Sequence, residues 1–476
     1  MRREDLFACI EQDFDHEILP TLSEYIAIPN KSPAFDPEWE KAGHMQRAAE
    51  LIAAWCRRRK IEGLKVDLIK EPGRTPLLLM DVPARGLERG EAEPTVLIYG
   101  HLDKQPEMVG WSEGLAPFKP VLRGDKLFGR GGADDGYAAF AALSALSALE
   151  QFGAARPRAV VVIEGSEESG SSDLLYYVDA LSDRIGTPQL VICLDSGCGD
   201  YERLWCTTSL RGIVAGDLRV EILSEGVHSG DAGGIVPSTF RIARQLLTRI
   251  EDEATGVVRV EGANVSIPEE RVAQAALVGE VLGHGLYSKF PFVPGAQPST
   301  SDLAELVLRR TWRPALEVTG ASGLPALEHA GSVARPQTTL RLSLRIPPTA
   351  DASAVCKSLK ATLEAEPPYN ARVSFDGETA SGWNAPATKP WLAEALDQAS
   401  RRFFGPGVAH NGEGGSIPFM SMLGQRFPDA QFVVTGVLGP QSNAHGPNEF
   451  LHIPTAKKVT ASVASVLADM AIAAKI

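Results

Sequence analysis

Seven acidic and histidine side chains stand where apolar, strand-like runs give out or shortly beyond: His101, Asp103, Asp134, Glu167, Glu168, Asp195 and His445. TVLIYG (95–100) runs into His101-Leu102-Asp103, AVVVIEG (159–165) into Ser166-Glu167-Glu168, LVICL (190–194) into Asp195, and AQFVVTGVL (430–438) leads towards His445. Strands buried on both faces read as continuous β-branched runs, and parallel sheets carry their working residues where the carboxyl ends of the strands emerge. These groups are therefore expected on one rim. Carboxylates gathered there raise one another's pKa and ionise together only if positive charge sits between them. Two divalent cations would supply it, since Asp134, Glu168 and Asp195 with one bridging hydroxide balance two zinc ions. If Asp134 bridges, one ion takes His101 and Asp195 and the other takes Glu168 and His445. Each ion then has three protein ligands and a shared solvent position, the open arrangement of a catalytic zinc site. The nitrogen and oxygen donor set would also accept manganese or cobalt.

Glu167 adjoins a ligand yet completes neither shell. A carboxylate held there can take the proton of the metal-held water, whose pKa the ions lower to roughly 7. It is the expected general base. Asp103 lies two residues beyond His101, on the same side of an extended segment, and can accept the second N–H of that imidazole.

The elements that position these groups follow from the rest of the chain. With 476 residues and 44% hydrophobic content, it can form two domains with separate cores. A net charge of −13 excludes a nucleic-acid footprint, and the short Arg57-Arg58-Arg59-Lys60 run reads as a solvated helix end. Six cysteines show no CxxC spacing and read as free thiols. Acidic residues interrupt the N-terminal stretch where a signal's apolar core would be, and no apolar run reaches the roughly 18 residues of a membrane span. The sequence reads as a soluble cytoplasmic protein without nucleic-acid or membrane partners.

Residues 5–28 and 38–60 read as amphipathic helices. From about 64 to 200, strands and helices alternate, which argues an α/β fold: a mostly parallel sheet with helices on both faces. Then VAGDLRVEILSE (214–225) and TTLRLSLRIP (338–347) alternate every second residue, the sign of an antiparallel sheet with one solvated face. Helical stretches at 238–251, 268–283, 301–310 and 351–365 accompany them. A smaller α+β domain at 210–385 is thus expected to interrupt a catalytic domain built from 1–209 and 386–476, closed by a helix at 454–474.

His101-Leu102-Asp103, Leu127-Phe128-Gly129-Arg130-Gly131-Gly132-Ala133-Asp134-Asp135, Glu164-Gly165-Ser166-Glu167-Glu168-Ser169-Gly170-Ser171, Asp195 and His445, in this order, resemble the co-catalytic zinc peptidases of the aminoacylase and carnosinase family. The likeness covers nearly the whole chain and is greatest to the cytosolic carnosinase-like dipeptidases. It implies the ligands, base and supporting aspartate named above, with a cis Asp134-Asp135 peptide. It also implies an inserted lid and dimerisation domain, hence a homodimer, and small peptide substrates cleaved by a metal-bridging hydroxide.

From the inserted domain, the resemblance implies that His228 polarises the scissile carbonyl, commonly at the centre of the other subunit. It implies too that Arg345 pairs with a substrate carboxylate, assisted by Ser332. In Glu413-Gly414-Gly415-Ser416-Ile417-Pro418, Ser416 and the backbone amides of Gly414 and Gly415 would hold the terminal carboxylate while Glu413 meets the free amine. Plainer readings stand beside these: a solvated loop histidine, a surface arginine and an ordinary turn. One departure is evident, because Gly136-Tyr137 follows the paired aspartates where the family has Lys-Gly. Tyr137 and Trp383 read as packed residues rather than pocket walls. The rival functions are an N-acyl-amino-acid or carbamoyl amidohydrolase using the same metal chemistry, and a non-catalytic peptide-binding homologue.

Overall fold

The computed structural model describes residues 3–87, 93–415 and 417–473. The chain divides into two compact units, one formed by residues 1–207, 385–410 and 422–476 and the other by 208–384 and 411–421.

The first unit is built on a mixed sheet whose strands lie in the order Lys65–Ile69, Leu77–Val82, Arg158–Glu164, Thr95–His101, Leu190–Cys193, Gln431–Val434, Trp205–Leu210. The four strands from Arg158–Glu164 to Gln431–Val434 are parallel. They are the runs whose unbroken apolar character announces burial on both faces. Val96 and Ile98 join one core cluster, while Leu97 and Tyr99, pointing the other way, are buried as fully. The outer pair differs from the expected alternation. Only residues 70–76 link Lys65–Ile69 to Leu77–Val82, too few for a crossover helix, so these strands form an antiparallel hairpin.

Helix Ala138–Gln151 is buried over almost its whole length, as its alanine- and leucine-rich sequence requires, and Ile453–Ala473 contributes to the same core. The N-terminal helical stretch contains a π-helical turn at Phe14–Ile18. Helix 38–60 of the sequence reading is two helices, Trp39–Ala42 and His44–Arg57, broken where Gly43 turns left-handed at φ 70°. No helix among the described residues is long and apolar enough to cross a membrane.

In the second unit, a four-stranded antiparallel sheet runs in the order Ala315–Ser322, Gln337–Ile346, Gly212–Glu221, Arg372–Ala380. Val214, Leu218 and Val220 pack with Leu340, Leu342, Leu344 and Ile346 beneath helices Thr239–Ile250 and Ala352–Glu364. Alternate residues such as Asp217, Arg219 and Arg341 are exposed. Ser238, Asp302 and Asp351 cap the helices that follow them, each accepting an amide hydrogen three residues on.

Candidate active site

His101, Asp103, Asp134, Glu167, Glu168, Asp195 and His445 all belong to the first unit, and its parallel strands bring them together. Close packing starts at Gly100, where a Cβ would lie 2.5 Å from that of Ala138 and 2.7 Å from Asp135 Oδ2. The bare backbone lets the next amide, that of His101, donate to Asp135 Oδ2 at 3.2 Å. The Asp134-Asp135 peptide is cis, in a turn that Gly131 opens at φ 79°.

The geometry centres on Asp134. Its Oδ1 lies 3.3 Å from His101 Nε2 and its Oδ2 3.0 Å from His445 Nε2. Asp195 Oδ2 is 3.7 Å from His101 Nε2, and Glu168 Oε2 is 3.4 Å from His445 Nε2. One buried carboxylate thus faces two histidines, each with a further acid beside it. Donor atoms of His101, Glu167 and Asp195 lie within 4.8 Å of one another, as do those of His101, Asp134 and Glu168. The residues fit a pair of cations: every donor is oxygen or nitrogen, and Glu168 Oε1 is buried with no hydrogen-bond partner, an acceptor left to be satisfied.

The electrostatics agree. Burial pushes Asp195 up to about 6, with the His101 charge drawing it back and Asp134 adding to the rise. Burial likewise carries Glu167 and Glu168 well above the usual carboxylate range, reinforced by Asp195 and Asp134 respectively. Burial alone would lower His101, but hydrogen bonds to Asp103 and Asp134 hold its pKa well above the ordinary imidazole value. The cluster therefore retains protons that a cation must displace. Affinity for a divalent metal is expected to rise as pH climbs through about 6, with protons released on binding. Calorimetry in two buffers of different ionisation enthalpy measures this, and a pH-independent affinity would contradict it.

Asp103 does more than orient an imidazole. The His101 Nδ1 lies 3.2 Å from the Asp103 carbonyl and 3.4 Å from its Oδ1, so Nδ1 keeps a proton, and a cation that displaces the proton facing Asp134 would find the Nε2 lone pair turned to the centre. The two carboxylate oxygens accept the amides of Glu167 at 3.1 Å and Glu168 at 3.0 Å, clamping the tight turn that carries both glutamates. An asparagine would turn an NH2 group towards one of those amides. Asp103→Asn is expected to weaken metal binding about 10–100-fold in a chelator-competition assay, and unaltered affinity would refute the clamp.

Several supporting residues escaped the sequence reading. Gln105 Nε2 donates to Glu168 Oε2 at 2.6 Å. The Arg130 guanidinium meets Glu449 Oε2 at 2.5 Å and the Gly446 carbonyl at 2.7 Å, while Glu449 Oε1 accepts the Gly131 amide. This strap ties the Asp134 turn to the loop of His445, where Gln441, Asn443, His445 and Asn448 all have positive φ. Arg130 stood in a quoted motif; Glu449 carried no local signal. Tyr137 is fully buried and donates to the Leu194 carbonyl, next to Asp195, at 2.6 Å. A side chain at Gly136 would collide with Tyr25, so this chain has no room for another residue there. Trp383 is buried as well.

The other expected residues lie in the second unit. His228 and Ser332 meet at a two-stranded ribbon, where the Ser229 amide donates to the Ser332 carbonyl at 2.9 Å; both residues are exposed. His228 Nδ1 accepts the Gly230 amide at 3.1 Å, which leaves the ring proton on Nε2 as a donor. Arg345 lies on strand Gln337–Ile346, partly buried, and Glu413 ends strand Ala409–Glu413, followed by Gly414 and Gly415. Ser416 lies outside the described residues.

The sequence profile of peptidase family M20/M25/M40 matches residues 97–469. The chain belongs to this family. It is 27% identical over 456 residues to a cysteinylglycine-S-conjugate dipeptidase of Corynebacterium striatum, covering 92% of this chain and 94% of that relative. A human β-Ala-His dipeptidase is 26% identical over 475 residues, covering 94% of this chain and 88% of its own. Among solved structures, human carnosine dipeptidase 1 superposes with a TM-score of 0.72 at 22% identity, over 99% of both chains, and so shares the fold.

Proposed function

We propose that this member of the family is a dipeptidase that holds two divalent cations, zinc or manganese, and cleaves the single peptide bond of small substrates. The observation that carries the reading is the Asp134 carboxylate, whose two oxygens face His101 and His445 separately at 3.3 and 3.0 Å. His101 and Asp195 would complete one ion's protein ligands, and Glu168 and His445 the other's. Bound there, the ions would polarise a carbonyl and bring a water's pKa to roughly 7. Glu167 takes the proton of the attacking water and delivers it to the departing amine. Asp103 keeps His101 in the tautomer the centre requires and fixes the Glu167 turn. His228 offers its Nε2–H to the developing oxyanion, a role for which its exposure and occupied Nδ1 suit it. Arg345, Ser332 and the Glu413–Gly415 loop receive the substrate's ends.

Names of relatives support the dipeptide substrate, since both curated relatives are dipeptidases. A cytoplasmic location is part of the proposal and is supported by six cysteines that form no disulfide with one another. So is a homodimer in which His228 serves the second copy's centre. The test is a panel of free dipeptides and N-acyl amino acids offered to zinc- or manganese-loaded protein. Hydrolysis of dipeptides is expected, and cleavage of the acylated compounds alone would overturn the reading. Mixing inactive His228→Ala and Glu167→Gln chains should restore part of the activity, and no recovery would rule out sharing between subunits.

A further inference from the structure

Helix Leu303–Thr311 and the turn after it carry Arg309, Arg310 and Arg313. Glu305 takes two of them, at 3.1 Å from Arg309 and 2.7 Å from Arg313. Arg310 has no carboxylate partner among the described residues, and its Nε is buried without a hydrogen bond. An unmet guanidinium donor in a partly buried place is an unfavourable arrangement unless an anion comes to it.

Gly414 shows where that anion would come from. A Cβ there would lie 3.2 Å from Arg310 Cγ and 3.2 Å from Arg211 Nη2, so the loop passes closely between two arginines. Arg211 is a strut: its Nε donates to the Gly414 carbonyl at 3.1 Å and its Nη1 to the Arg309 carbonyl at 3.3 Å. It also lies near Arg345. Gly212 pairs with Ile346 and Ile213 with Arg345, which puts Arg211 and Arg345 on one face of the sheet as diagonal neighbours, about 7–8 Å apart. Burial, with the charges of Arg345 and Arg310, pushes the Arg211 pKa down to about 10. Three guanidiniums thus share one neighbourhood beside a loop whose own acid is Glu413.

A zwitterionic dipeptide brings a single carboxylate, and if Arg345 takes it the buried Arg310 Nε still has no acceptor. We propose that Arg310 and Arg345 form a two-carboxylate subsite, so that the preferred substrates are dipeptides whose C-terminal residue is aspartate or glutamate. This rests on the reading that Arg345 and the Glu413–Gly415 loop contact substrate. The α-carboxylate pairs with Arg345, and the side-chain carboxylate reaches Arg310, whose planar fork accepts it with two parallel hydrogen bonds.

The test compares Ala-Glu with its neutral isostere Ala-Gln, using metal-loaded protein and reading the ratio of kcat/KM values. Wild type is expected to favour Ala-Glu about tenfold or more, the strength of one charge-assisted contact. Arg310→Gln should bring the ratio close to one, chiefly through KM, and Arg310→Lys should restore part of it. A wild-type ratio near one, or a ratio that Arg310→Gln leaves unaltered, overturns the subsite while the dipeptidase reading survives. Failure of the wild type to cleave either compound while other free dipeptides are hydrolysed overturns the subsite alone, and failure on every free dipeptide sinks both.

Discussion

Glu167→Gln is expected to keep both cations bound while turnover falls about 10²–10⁴-fold, the usual worth of a positioned proton acceptor. The amide is the same size, and the backbone amide of residue 167 remains available to Asp103 Oδ1, so the turn should hold its shape. The chief loss is the ability to take a proton. Burial and the nearby Asp195 charge hold Glu167 well above the usual carboxylate range, and two cations would draw it back towards one suited to passing a proton both ways near neutral pH. Elemental analysis and single-turnover kinetics on the same sample separate the outcomes. Two metals with near-normal turnover would remove Glu167 from the chemistry, whereas loss of metal would make it a ligand.

Asp134→Asn is expected to reduce the protein to one cation or none and to slow turnover by about 10³-fold or more, because polarisation by the second ion is worth several kcal/mol. Oδ1 and Oδ2 of Asp134 face different histidines. An asparagine keeps one oxygen and turns an NH2 group, which cannot ligate, towards the other side. It also deletes the negative charge that holds His101 and His445 in place: hydrogen bonds to these histidines outweigh burial and keep the Asp134 carboxyl well below its ordinary range. Asp195→Asn, which touches one side only, should be milder. Retention of two tightly held ions in Asp134→Asn would show that the carboxylate is not shared.

The central strands and the acids at their ends were legible because both depend on short, local patterns: an unbroken apolar run followed by a polar residue. The helices read at 238–251, 301–310 and 351–365 begin at or beside Ser238, Asp302 and Asp351, whose capping bonds stay within three residues of their own chain. Strands Ala315–Ser322 and Arg372–Ala380 escaped because both lie at sheet edges and expose most of their residues, which erases the alternation. The Asp103 clamp escaped because it binds backbone amides, and every residue type has those. Tyr137 was read correctly as packed, but its bond to the Leu194 carbonyl spans 57 residues and leaves no trace in either segment. The cluster of Arg211, Arg310 and Arg345 joins three distant segments in the same way.

The ion pair of Arg130 with Glu449 spans 319 residues. A ribosome therefore delivers His101, Asp134, Glu167 and Asp195 long before the loop that presents His445. Until that last loop is latched, the growing polypeptide lacks His445 and the Asp134 carboxylate faces one histidine instead of two, so the paired arrangement arrives only with the completed fold.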